Sequence, residues 1–138
     1  ILIGGSGADT LTGGAGVDPL TVGAGIETFV ISTADLDSTG AAATDVITDF
    51  VSGVDKISAT VSGAGSALNY AEATAAVADL ATLLVAADAA LTGAFTYYVG
   101  QVGSDSYLVT DADATGYTDV IKLTGVALTG IEFADIVA

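Results

Sequence analysis

Three acidic side chains recur at a fixed spacing near the start of the chain: Asp9, Asp18 and Glu27 lie nine residues apart, each preceded by a glycine-rich stretch. Residues 4–12 read GGSGADTLT, residues 13–21 read GGAGVDPLT and residues 22–30 read VGAGIETFV. The chemistry open to such a set is narrow. The chain has no His and no Cys, which removes imidazole bases, thiolate nucleophiles and most zinc, copper and iron sites. Carboxylates and backbone carbonyls suit hard, oxygen-preferring cations, and glycines let several carbonyls converge by accepting positive φ. Seventeen Asp and Glu stand against two basic residues, Lys56 and Lys122, a net charge of −15. Self-repulsion of that size in a chain that is 51% hydrophobic favours a neutralising divalent cation, and Ca2+ fits the donor set.

The same charge excludes other classes. Nucleic-acid binding needs a basic footprint, which is absent, and an anionic membrane surface would be repelled. No membrane insertion is expected. The apolar content is too high for a disordered tail. Without cysteine there is no disulfide framework. No basic-then-apolar leader pattern opens the sequence. Ile1 falls inside a repeat, so the chain is expected to be the C-terminal end of a larger protein.

The elements that must position the acids follow from the apolar residue of each repeat. Leu2, Leu11, Leu20 and Phe29 are nine apart, two residues beyond each acid where an acid precedes. The pattern is G-G-x-G-x-D-x-U-x, with U large and apolar. Six residues make a turn and three make a short strand whose U side chain points inward. Two nonapeptides complete one coil, so turns on the same side are expected eighteen residues apart, with the cation between stacked turns. One coil cannot bury its apolar residues alone, so coils must stack. Carried forward, the phase places Asp45 in one column with Asp9 and Glu27, with Gly40 at the first loop position and Ile47 at the apolar one. The intervening nonapeptide has Leu36 in the acid slot, flanked by Asp35 and Asp37. The roll is expected to reach about residue 50 with one distorted turn. Pro19 lacks an N–H and costs a ladder bond unless it lies at an edge.

Residues 4–50 resemble the RTX (repeats-in-toxin) calcium-binding β-roll. Residues 23–57 are similar to the segment that ends the roll in serralysin-type exoproteins, through Gly23, Gly25, Glu27, Phe29, Asp37-Ser38, Asp45, Ile47, Asp49-Phe50 and Gly53 with Asp55-Lys56-Ile57. Residues 119–138 are similar to the C-terminal region of type I secretion substrates, closing on Asp135-Ile136-Val137-Ala138. The resemblance implies a right-handed parallel β-roll and export through a one-step channel with the C-terminus leading. The type I secretion machinery and calcium ions are the partners it implies, and a secreted or cell-surface location. The metal-binding residues expected are the carbonyls or carboxylates of Gly4, Ser6, Asp9, Gly13, Ala15, Asp18, Gly23, Gly25, Glu27, Asp37, Gly40 and Asp45. The serralysin zinc motif H-E-x-x-H needs histidine and is not in this chain, so no catalytic residue is expected and the chain is not read as an enzyme. The Ala-, Thr-, Val- and Gly-rich composition also resembles surface-layer proteins that carry such repeats.

Beyond residue 50 a β-rich C-terminal region is expected, 51–138, with one helix at about 69–91. Asn69 and Glu72 read as its capping box, Val77, Leu80, Leu84, Ala87 and Leu91 as one apolar face, and Gly93 as the stop. Strands are expected at 95–102, 107–110, 120–123 and 131–137, with a turn at Gly103-Ser104-Asp105. The loop from Asp111 through Asp113 to Gly116 is read as a solvated hairpin tip, with a lone calcium site as the alternative. Tyr97, Tyr98, Tyr107 and Tyr117 are read as core rather than as a carbohydrate platform. The function expected is a calcium-triggered folding module. The alternatives are a segment that assembles with itself through calcium in a surface layer or filament, and calcium-triggered cleavage at Asp18–Pro19.

Overall fold

The nine-residue spacing becomes two stacked columns of apolar side chains. In the computed structural model, which describes residues 1–31, 45–59, 63–93, 96–112 and 116–138, the chain runs through β1 (Leu2–Gly7), β2 (Thr10–Thr12), β3 (Pro19–Gly25), β4 (Thr28–Ile31), β5 (Asp45–Thr48) and β6 (Lys56–Ala59). It continues through β7 (Tyr70–Glu72), α1 (Leu80–Ala90), β8 (Tyr97–Val102), β9 (Asp105–Thr110), β10 (Asp119–Thr124), two single-turn 3-10 segments and β11 (Ile136–Val137). Odd and even repeats go to opposite sheets. One sheet has the order β1-β3-β5-β10-β9-β8-β7 and the other β11-β6-β4-β2. The ladders among β1, β3 and β5, between β5 and β10, and throughout the smaller sheet are parallel. The fold is therefore the expected mainly β parallel roll, with the β8–β9 and β9–β10 hairpins extending one sheet.

Register gives the coil length directly. Leu2 pairs with Leu20 and Leu11 with Phe29, each eighteen residues on. The apolar columns are Leu2–Leu20–Ile47–Leu123 in the larger sheet and Leu11–Phe29–Ile57–Ile136 in the smaller. All but Leu2 are buried, and they form one core with Val22, Ile31, Phe50, Tyr97, Val99 and Leu108. Burial of a large aliphatic or aromatic side chain contributes about 1.5–3 kcal/mol, so neighbouring coils support one another where a lone coil has no partner. Pro19 opens β3, the strand position where a missing N–H is tolerated. The parallel ladders also run past residue 50, because β6 pairs with β4 and β11 with β6.

The expected phase fails at the degenerate repeat. Ile47 pairs with Leu20, twenty-seven residues earlier, and so lies in the opposite sheet from the one expected. β4 lies in the smaller sheet and β5 in the larger, where the expected count puts Phe29 and Ile47 in one sheet. The nonapeptide at 31–39 has no glycine pair and no acid in phase, so strict nine-residue counting does not carry through it. Asp45 accordingly leaves the Asp9–Glu27 column.

The helix is shorter than expected. It begins at Leu80, capped by Asp79, whose side chain accepts the Thr82 N–H at 2.8 Å. Asn69 does not cap it: its Oδ1 accepts the Ser66 N–H at 2.7 Å and closes a local turn. Tyr70 to Glu72 pair with β8 instead, a tertiary pairing that outweighs the local capping signature. Leu83, Leu84, Ala87 and Leu91 cover Tyr98, Val109 and Val120 on the outer face of the larger sheet. The strand expected at 131–137 is confined to Ile136–Val137, because Phe133–Asp135 form a 3-10 turn closed by Glu132 and Asp135. Tyr97 and Tyr98 are core residues, as expected. Asp111 and Asp119 are buried at the ends of β9 and β10, and residue 113 lies outside the described residues.

Candidate metal centre

Each turn of the roll leads into a strand with an acid two residues before the inward apolar side chain. This places Asp9 before Leu11, Glu27 before Phe29 and Asp55 before Ile57. Because those apolar residues stack, the three acids stack too. The ladder extends into the turns: the Ile26 N–H donates to the Gly7 carbonyl at 3.0 Å, Thr28 N–H to Asp9 at 2.8 Å and Lys56 N–H to Glu27 at 2.8 Å. The glycines make this stacking possible. A side chain at Gly25 would overlap the Gly7 carbonyl, and one at Gly4 would overlap the Val22 carbonyl and lie 3.4 Å from Asp9 Oδ2 and Glu27 Cγ.

The electrostatics of this column are unbalanced. Glu27 is fully buried, yet Oε1, Oε2 and the neighbouring Asp9 Oδ2 are buried without a hydrogen-bond partner among the described residues. Burial pushes the Glu27 carboxyl above the usual carboxylate range, and the facing Asp55 and Asp9 carboxylates push the same way. Glu27 and Asp55 can share a hydrogen bond only with a proton between them; as ionised groups they are two acceptors. Asp55 is differently placed. Its Oδ1 accepts the Glu27 N–H at 3.1 Å and its Oδ2 the Val51 N–H at 2.8 Å. A buried anion without donors is costly, and a hard cation among Asp9, Glu27 and the turn carbonyls would remove that cost.

The opposite side of the roll carries a second group. The Asp18 N–H donates to Asp45 Oδ1 at 2.8 Å, and a side chain at Gly13 would lie 2.8 Å from Asp45 Oδ2. Thus the expected residues separate into two groups: Gly4, Gly25, Asp9 and Glu27 on one side, and Gly13, Asp18 and Asp45 on the other. Gly23 packs against Gly5 in the first stack, where its φ of +100° and the overlap of any side chain with the Gly5 carbonyl require glycine. Ser6 pairs with Ala24 in the ladder and is exposed, as is Ala15. Asp37 and Gly40 lie outside the described residues. No group of three or more acidic side chains with metal-binding geometry occurs among the described residues, so a cation at either group would need carbonyl oxygens as well. Asp55 was not among the expected site residues. Its signal was present in the acid-x-apolar spacing of Asp55-Lys56-Ile57, but strict nine-residue phasing hid it.

Comparison with known proteins adds three findings. The chain matches the family described as peptidase M10 serralysin C terminal over residues 2–123. No curated protein matches it. Among solved structures it is similar to the AlgE6R3 subunit of the Azotobacter vinelandii mannuronan C5-epimerase, with a TM-score of 0.64 and 27% identity. That match covers 99% of this chain and 66% of the other, so the chain spans just under two thirds of that structure's length.

Proposed function

This chain belongs to the peptidase M10 serralysin C-terminal family, and from that premise we propose that it is the calcium-binding, calcium-triggered folding module of a bacterial protein exported by the type I route. The RTX-type β-roll that the resemblance implies is present. The observation that carries the proposal is the trio of orphaned buried oxygens, Asp9 Oδ2 and both oxygens of Glu27, beside turns that only glycine allows to approach. Asp9 and Glu27 hold one ion with carbonyls of the stacked turns at Gly4, Ser6, Gly23 and Gly25. Asp18 and Asp45 hold another on the opposite side with Gly13 and Ala15.

The ion supplies positive charge where the chain has concentrated negative charge. Everything else is done by the chain. Without the ion, Asp9, Glu27 and Asp55 repel one another across stacked turns, and the chain, at −15, resists compaction. With it, the turns close, the apolar columns come into contact, and binding free energy becomes folding free energy. Extracellular calcium sites have Kd of roughly 10⁻⁴–10⁻³ M, and a site at ten times its Kd adds about 1.4 kcal/mol. A few coupled sites decide the fate of a domain whose net stability is about 5–15 kcal/mol. The chain would thus stay open where calcium is scarce and fold outside the cell. The module is not itself catalytic; the absence of His and Cys and the match to the C-terminal part of serralysins support this. Among the described residues no helix is long and apolar enough to cross a membrane.

Equilibrium dialysis against radioactive calcium tests the assignment. The native chain should retain calcium and Glu27→Gln should lose at least one equivalent. Equal retention by both would remove Glu27 from the site.

A further inference from the structure

The connection between β5 and β6 lies between two buried carboxylates. It leaves β5 through Asp49, at a φ of +66° unusual for a non-glycine residue, and turns again at Gly53. From the column side, Asp55 accepts the Val51 N–H at 2.8 Å while also accepting the Glu27 N–H at 3.1 Å. From the tail side, Asp135 accepts the Ser52 hydroxyl at 2.6 Å, the Gly53 N–H at 2.9 Å and the Lys56 ammonium at 3.2 Å. Lys56 also donates to the Ala134 carbonyl at 3.1 Å. Asp135 in turn fixes the tail, accepting the Glu132 N–H at 3.1 Å immediately before β11. Beyond that latch, β11 lies on β6 with Ile136 opposite Ile57, and the Gly65 N–H donates to the Ile136 carbonyl at 3.0 Å.

We propose that residues 49–56 form a latch coupling the acid column to the C-terminal strand, so that cation binding at Asp9 and Glu27 tightens tail docking and tail docking tightens cation binding. This rests on the metal reading above. Glu27 is the shared element: its carboxylate faces the column and its N–H is held by Asp55. A cation at Glu27 relieves the repulsion on Asp55, which fixes Val51 and thereby presents Ser52 and Gly53 to Asp135. Linkage makes the coupling reciprocal, so a weakened latch must weaken calcium binding by the same factor.

The test uses the 138-residue chain in a calcium titration followed by circular dichroism, with hydrogen exchange read at the β11 amides relative to those of α1. The variants are Asp135→Asn and the milder Ser52→Ala. Asp105→Asn is the control, because it removes an ion pair of the β9–β10 hairpin and touches neither loop nor tail. The latch predicts that both test variants raise the calcium midpoint by about fivefold or more, beyond any shift in the control. It also predicts that calcium slows exchange in β11 more than in α1. If Asp135→Asn does not fold, Ser52→Ala decides. Calcium binding by the native chain with no midpoint shift beyond the control, or with β11 and α1 protected equally, overturns the latch and leaves the metal site standing. No calcium binding by the native chain overturns both.

Discussion

Gly4 and Gly5 are neighbours with opposite demands, and substituting each by alanine separates backbone strain from damage to the metal centre. At Gly5 an added methyl meets nothing within 4 Å, but the residue sits at φ +94°. The left-handed region costs an L-residue about 1–2 kcal/mol, and nothing in that cost involves calcium. At Gly4 the methyl overlaps the Val22 carbonyl and lies 3.4 Å from Asp9 Oδ2 and Glu27 Cγ. Relieving the overlap separates the turns that carry Asp9 and Glu27, and overpacking of this kind costs about 1–3 kcal/mol. The two losses are similar in size and different in kind. Urea unfolding at two calcium concentrations, with far-UV circular dichroism for the calcium midpoint, distinguishes them. Gly5→Ala should lose the same stability at both concentrations and move its midpoint only as far as that loss of folding stability carries it. Gly4→Ala should raise the midpoint by about tenfold or more, equivalent to 1.4 kcal/mol. Equal midpoints for the two variants would refute the placement of the cation between these turns.

Ile57→Ala interrupts the Leu11–Phe29–Ile57–Ile136 column where it is fully buried and should cost about 2–5 kcal/mol, read from urea unfolding in saturating calcium. Asp55→Asn exchanges an acceptor for a donor opposite the Val51 N–H or the Glu27 N–H; a charged hydrogen bond contributes about 1.5–3 kcal/mol, and a comparable loss should appear in the same assay. The Asp105 carboxyl is held below its ordinary range, first by the Lys122 hydrogen bond and then by the Gly125 N–H, while Lys122 is raised chiefly by Asp105. Asp105 therefore contributes stability above its ordinary value that is lost as pH falls through the depressed one. Lys122 contributes below its ordinary value and loses that as pH rises through the raised one. Asp105→Asn should flatten both limbs of a stability–pH curve measured by thermal unfolding.

Much of this architecture was legible because the repeat states its own geometry. A period of nine with an apolar residue two places after each acid specifies the strand, its inward face and the eighteen-residue coil, and the ladders of Leu2 with Leu20 and Leu11 with Phe29 follow that reading. Phase was less secure. Strict counting through the repeat that lacks both glycine pair and acid put Asp45 under Glu27, whereas Asp55 occupies that place. Local spacing of acid to apolar residue survives an irregular loop; absolute phase does not. The helix boundary was misread for a related reason. Asn69 and Glu72 satisfy a capping pattern, but Tyr70 to Glu72 gain more from the edge of β8. The orphaned oxygens of Glu27 are not visible in sequence, because burial of a carboxylate depends on which turns stack on it.

A far-UV circular dichroism titration of the chain shows whether this fold depends on calcium. Calcium is raised from chelator to a few millimolar, with magnesium as the control. Calcium should produce a cooperative gain of β signal that magnesium does not reproduce. A spectrum already fully β in chelator, unchanged by either ion, would contradict it.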